Sequence, residues 1–157
     1  MQGVLDMKIA IGCDHGAVAF KQHLLKYLEG KGYEVVNFGS DDPDSSDDYP
    51  YFAERVSKAV VSGECDRGVL ICGTGTGISI SANKIHGVRC ALCSEPVSAA
   101  LARLHNDANI IAMGARTIGP VMAEGILDVF LNTGFEGGRH QRRVDMIMKL
   151  DRGESVQ

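Results

Sequence analysis

Residues 70–84 read LICGTGTGISISANK, in which Cys72 is followed by Gly73, Gly75 and Gly77 alternating with Thr74 and Thr76. A cysteine acts as base or nucleophile only as the thiolate, which a helix N-terminus and nearby N–H groups favour. Alternating glycines allow backbone N–H groups to converge into a nest for a small anion. Placed together, a thiolate and a nest could take a proton from carbon and hold the resulting oxyanion, the logic of an enediolate reaction.

Competing uses of the loop differ in what they require. A dinucleotide fingerprint needs G-x-G-x-x-G after the first strand and an acid at the tip of the second. Here the glycines follow the third apolar run, Ile78 stands where the last glycine belongs, and the second run ends Asn37-Phe38-Gly39. A P-loop would end Gly-Lys-Ser/Thr, which is absent. A glycine turn without any ligand stays open, although a turn needs fewer glycines.

Other residues suit the same chemistry. Asp14 and His15 follow the first apolar run, where a lone histidine is often only structural. His105-Asn106-Asp107 places three polar residues at a helix end. Arg139 and Arg143 are four apart, hence on one helical face, a geometry for a phosphate; a solvated basic face is the alternative. Cys90 and Cys93 match C-x-x-C but fall on a strand, where residues three apart point to opposite faces, so ordinary buried thiols are expected there. The histidines show no H-x-H or H-E-x-x-H spacing and the acidic loop lacks an EF-hand's Gly and Glu. No metal and no cofactor is required.

Composition bounds the setting. The chain has 157 residues, 45% hydrophobic and 23% charged, with net charge −4, which gives no global attraction to nucleic acid or anionic membrane. The charge is uneven: DDPDSSDD at 41–48 is acidic and RHQRR at 139–143 basic. No apolar run is long enough to span a membrane, and MQGVLDM lacks the features of a signal peptide. Five cysteines without an export signal suggest reduced thiols and a cytoplasmic protein.

Alternating strands and helices must position these groups. Strands are expected over 7–13, 33–39, 67–72, 87–93 and 108–114. Helices are expected over 17–30, from Pro50 to about 62, over 78–85, after an N-cap at Ser94 to about 105, over 120–131 and from about 139. The third strand, RGVLIC, is continuously apolar, as in a parallel strand buried on both faces. The pattern predicts a Rossmann-like three-layer α-β-α sandwich, with a five-stranded parallel sheet and a C-terminal helical arm. One domain over 7–150 is expected, with an extension over 1–6 and a polar tail over 151–157. Ligands of such sheets bind at the carboxyl ends of strands. The segments placed there are CDHG, CGTGTG, LHND just before strand five and GAR after it.

GCDHG, DYP, ICGTGTGISISANK, SEP, HNDAN, GAR and GGRHQRRV, in this order from about Met7 to Leu150, resemble the ribose/galactose isomerase family. The resemblance implies a metal-independent aldose–ketose isomerase without cofactor, interconverting ribose 5-phosphate and ribulose 5-phosphate. Another aldose phosphate (allose 6-phosphate, galactose 6-phosphate or a tetrose phosphate) or a non-catalytic sugar-phosphate-binding module is the alternative. It also implies that Cys72 moves the proton between C1 and C2 and that Gly73, Thr74, Gly75, Thr76 and Gly77 hold the enediolate. Thr74 and His105 would open the ring, with His105 the proton donor. Asp14 and His15 would contact the sugar. Asn106, Arg116, Arg139 and Arg143 would bind substrate, the arginines chiefly its phosphate. A homodimer or dimer of dimers with sites shared between subunits is implied. Ala17, where relatives often have glycine, and the acidic loop before Tyr49 depart from the pattern without touching this set.

Overall fold

The computed structural model describes residues 6–157, so the expected extension over 1–6 lies outside the described residues except for Asp6. Five strands, β1 (Lys8–Cys13), β2 (Glu34–Asn37), β3 (Arg67–Cys72), β4 (Cys90–Leu92) and β5 (Ile110–Gly114), form one parallel sheet in the order β2-β1-β3-β5-β4. The helices are α1 (Val18–Gly30), α2 (Tyr49–Val61), α3 (Thr76–Ala82), α4 (Pro96–Asn106), α5 (Pro120–Asn132) and α6 (Arg139–Asp151), with a 3-10 turn over His15–Ala17. Among the described residues no helix is long and apolar enough to cross a membrane.

Alternate side chains of each strand feed two cores. Ile9, Ile11, Val69, Ile71, Ile111 and Met113 meet α1, α4 and α5 on one face. Ala10, Leu70, Ile110 and Ala112 meet α2 and α3 on the other. Residues 9–13, 68–72 and 110–114 are buried throughout, which is why the central strands read as unbroken apolar runs. Cys93 joins the first core and Cys90 packs on the second, so the C-x-x-C pair is split by the sheet as its spacing requires.

The ends of elements differ from the sequence reading where backbone chemistry decides them. The cap of α4 is Glu95 rather than Ser94: its carboxylate accepts from Val97 N–H at 2.5 Å and Ser98 N–H at 2.8 Å, satisfying two free amides of the first turn. Helix α3 begins at Thr76, two residues before the expected start, because Gly75 already serves as its cap. Strands β2 and β4 pair over only four and three residues, as suits sheet edges.

Candidate active site

The order of strand addition reverses between the parallel strands β1 and β3: β1 connects outward to β2, and β3 begins the other half of the sheet. This is the switch point where doubly wound sheets leave a crevice. Cys13 pairs with Ile71 there, and Asp14 N–H reaches Ile71 O at 3.4 Å. Asp14 is thereby set beside the chain that ends at Cys72.

The glycine loop closes over the sulfur. Gly75 N–H donates to Cys72 Sγ at 3.1 Å, a donor where the charge of a thiolate would sit. Thr76 N–H donates to Thr74 Oγ1 at 3.2 Å. Gly75 is left-handed at φ 78°, and a Cβ on it would lie 2.8 Å from the Met113 carbonyl carbon. No other residue fits this approach of the loop to β5. At Gly77 a Cβ would meet the Tyr49 ring at 2.6 Å, so Tyr49 covers the loop from α2. Cys72 is buried while Thr74 and Thr76 are exposed. Burial pushes the Cys13 and Cys90 thiols up to about 12, the Cys93 thiol to about 11, and the Cys65 thiol upward as well. Those four are suited to packing.

Asp14 caps the 3-10 turn, accepting from Gly16 N–H at 3.1 Å. His15 Nδ1 lies 3.2 Å from both the N–H and the carbonyl of Asp47, so the acidic loop folds onto this ring. The loop is itself held by Lys21, whose fully buried ammonium donates to Asn37 Oδ1 at 2.8 Å, Ser40 O at 2.7 Å and Asp41 Oδ1 at 2.5 Å. Arg116 follows β5; its N–H donates to Gly73 O at 2.9 Å, and its side chain lies over Gly73. Asp14, His15, residues 72–77 and Arg116 thus share the carboxyl edge.

His105 and Asn106 do not. They were placed at the carboxyl ends from sequence, but α4 runs back across the sheet and delivers them to the amino edge, just ahead of Ile110. Ile110 pairs with Gly68 at the start of β3, while Cys72 pairs with Gly114 at the other end. A strand advances roughly 3.3 Å per residue, so the two edges stand roughly 13 Å apart along β3. Asp107 serves structure at this corner: left-handed at φ 45°, it pairs with Arg103 at 2.8 Å and Arg89 at 3.3 Å.

Helix α6 packs on α4 and brings its own residues to the amino edge. The His140 ring stacks on His105 with centroids 4.2 Å apart and planes 10° from parallel. Glu136 Oε2 stands 3.8 Å from His105 Nε2 and 3.7 Å from His140 Nε2. These three groups have the chemistry of metal ligands and lie within 4.8 Å of one another. Parallel rings, however, aim their in-plane lone pairs side by side, so an ion would need one ring to turn. Arg139 and Arg143 are exposed at the start of α6. Among the described residues the arginines in salt bridges are Arg89, Arg103 and Arg152; Arg116, Arg139 and Arg143 are among the six that have no carboxylate partner. Tyr49, Glu136 and His140 were not singled out from sequence. DYP and RHQRR contain the first and last, but nothing in their spacing separated them from a helix start and a basic face.

A parallel α/β sheet with a glycine nest and a thiol at its switch point defines an enzyme that handles a small anionic substrate. The chain belongs to the ribose/galactose isomerase family, whose sequence profile, described as Ribose/Galactose Isomerase, matches residues 9–147; it is an aldose–ketose isomerase. Ribose-5-phosphate isomerase B of Escherichia coli strain K12 is 47% identical over 144 residues, covering 92% of this chain and 96% of that one. The solved structure of Clostridium thermocellum ribose-5-phosphate isomerase B superposes with TM-score 0.92 at 48% identity, covering 95% of this chain and 100% of that one. That of Mycoplasma genitalium ribose-5-phosphate isomerase B with bound ribulose-5-phosphate has TM-score 0.88 at 40% identity, covering 92% and 96% of the two chains.

Proposed function

We propose that the chain interconverts ribose 5-phosphate and ribulose 5-phosphate through an enediolate, at a site completed by a second copy of itself. The observation that carries this reading is the buried Cys72 sulfur under the Gly75 N–H, at a switch point that also presents Asp14, His15 and Arg116. The relatives named above support the substrate, and the Mycoplasma genitalium structure supports a ketose phosphate as its bound form.

In the proposed mechanism the Cys72 thiolate removes the proton from C2 of the open aldose and returns it to C1. Electrons move to the carbonyl oxygen, and the glycine loop holds the negative charge that develops there. A proton also moves between the two oxygens, so the product is the isomer with no net loss. The cyclic sugar opens first: His105 donates a proton to the ring oxygen, Thr74 assists at the anomeric hydroxyl, and the C–O ring bond breaks to leave a carbonyl at C1. Asp14 and His15 orient the hydroxyls, Asn106 helps hold the substrate, and Arg116, Arg139 and Arg143 take the phosphate.

Residues on both edges cannot reach one sugar within a single chain, because a pentose phosphate is shorter than the sheet is deep. Two copies facing each other, the carboxyl edge of one against the amino edge of the other, bring every named residue to one substrate, and two-fold symmetry makes two such sites. Six-carbon and four-carbon aldose phosphates remain the alternative substrates, distinguished by assaying a panel of both lengths against ribose 5-phosphate. The experiment for the base is Cys72→Ala. Turnover should fall by at least about 100-fold, the lower range for loss of a general base, while substrate still binds by calorimetry. Near wild-type turnover would remove Cys72 from the mechanism.

A further inference from the structure

Glu136 has no part in the chemistry above, yet its position is tightly specified. It lies in the connection between α5 and α6, and its N–H donates to Leu104 O at 3.0 Å, which pins the connection to the last turn of α4. The carboxylate is thereby delivered to both imidazoles, 3.8 Å from His105 Nε2 and 3.7 Å from His140 Nε2. His140 is 5% exposed, and its Nε2 has no hydrogen-bond partner. Burying an orphaned ring nitrogen is costly, and a phenylalanine would supply the same flat face at no such cost.

We infer that Glu136 is a positioning residue that, with the His140 ring stacked on the other side, holds the His105 imidazole oriented for opening the sugar. The inference rests on the proposed role of His105 as proton donor.

The charges around the pair explain how. Two stacked imidazoles do not both carry a proton easily, since like charges at this range repel. Burial is the main cause that holds His140 below the ordinary imidazole range, followed by His105, Arg139 and Arg143, with Glu136 opposing. Arg103 and Asp107, at the end of α4, pair with each other at 2.8 Å. His140 is thereby disfavoured as a cation and serves as a flat face against which the His105 ring rests. Donation from His105 to the ring oxygen then leaves the imidazole neutral until the proton lost from the anomeric hydroxyl is returned through solvent. No proton is gained or lost overall.

The test compares wild type, His105→Ala, Glu136→Gln and Glu136→Asp on ribose 5-phosphate and on erythrose 4-phosphate, whose phosphorylated O4 cannot close the ring. Glu136 is exposed, so its variants should fold. For Glu136→Gln, kcat on ribose 5-phosphate should fall about 3- to 5-fold, as for loss of a solvent-accessible ion pair. KM should change little, and the loss on erythrose 4-phosphate should be smaller. Glu136→Asp should recover part of the loss. If His105→Ala is selectively impaired on the pentose while Glu136→Gln keeps wild-type kcat on both sugars, the inference is overturned and the role of His105 stands. If His105→Ala loses equally on both sugars, the role of His105 falls, and this inference falls with it.

Discussion

Cys72 and His105 lie at opposite ends of the same two strands. Cys72 pairs with Gly114 where β3 and β5 finish, whereas His105 precedes Ile110, which pairs with Gly68 near the start of both. In the proposed reaction, a proton-abstracting thiol and a ring-opening imidazole separated in this way would need a second copy of the chain, and the predictions below follow from that proposal.

The phosphate, rather than the sugar, should anchor the substrate. A hydrogen bond to a charged group contributes about 1.5–3 kcal/mol. Arg143→Ala should therefore raise KM about 10-fold or more, since about 1.4 kcal/mol is a factor of ten. Arg143→Lys should recover only part, because a point charge does not reproduce a bidentate fork. The measurement is kcat/KM for ribose and ribose 5-phosphate; an unchanged phosphate preference in Arg143→Ala would mean that the basic face of α6 is only solvated.

Lys21 should govern the acidic loop. Its buried ammonium holds Asn37, Ser40 and Asp41, and the same loop carries Asp47 to His15. Lys21→Met takes the ammonium donor from the buried Ser40 carbonyl, at about 1–3 kcal/mol for such a group. Thermal denaturation should show a Tm lower by several degrees, with a raised KM from the loosened His15. A variant as stable as wild type would show that the clamp adds nothing.

Stability should fall on the acid side through His140. Its imidazole is held below the ordinary value of 6.5, by burial first and then by neighbouring cationic groups. Below that pH the unfolded chain takes a proton that the folded chain refuses, so stability is full above about pH 6.5 and is lost progressively beneath it. His140→Phe removes the proton site and keeps the ring. Between about pH 7 and pH 5.5 the wild-type Tm should drop faster than that of the variant; parallel curves would contradict the assignment.

Much of this was legible in the residues. Unbroken apolar runs such as RGVLIC marked strands buried on both faces, and the alternation of strands with helices defined the parallel sheet. The glycine spacing marked a loop whose close approach to β5 only Gly75 permits. The edge to which His105 and Asn106 belong was misread, although β–α alternation contains the answer: a segment just before a strand lies where that strand begins. Glu136 was invisible because its placement beside His105 depends on one hydrogen bond, from its own N–H to Leu104 O. Tyr49 was hidden for a similar reason, since its contact with Gly77 joins segments far apart in sequence. The cap at Glu95 rather than Ser94 was settled by which side chain reached two amides at once.

The shared site is tested most directly by mixing two inactive variants. Cys72→Ala and His105→Ala are purified separately, combined, unfolded and refolded together, and assayed on ribose 5-phosphate. In a mixed dimer one site carries both lesions and the other carries neither. Random reassortment should therefore restore about one quarter of wild-type activity, as two-fold symmetry dictates. No recovery, with mixed dimers shown to be present, would mean that Cys72 and His105 serve the same site from one chain, contrary to the geometry of the sheet.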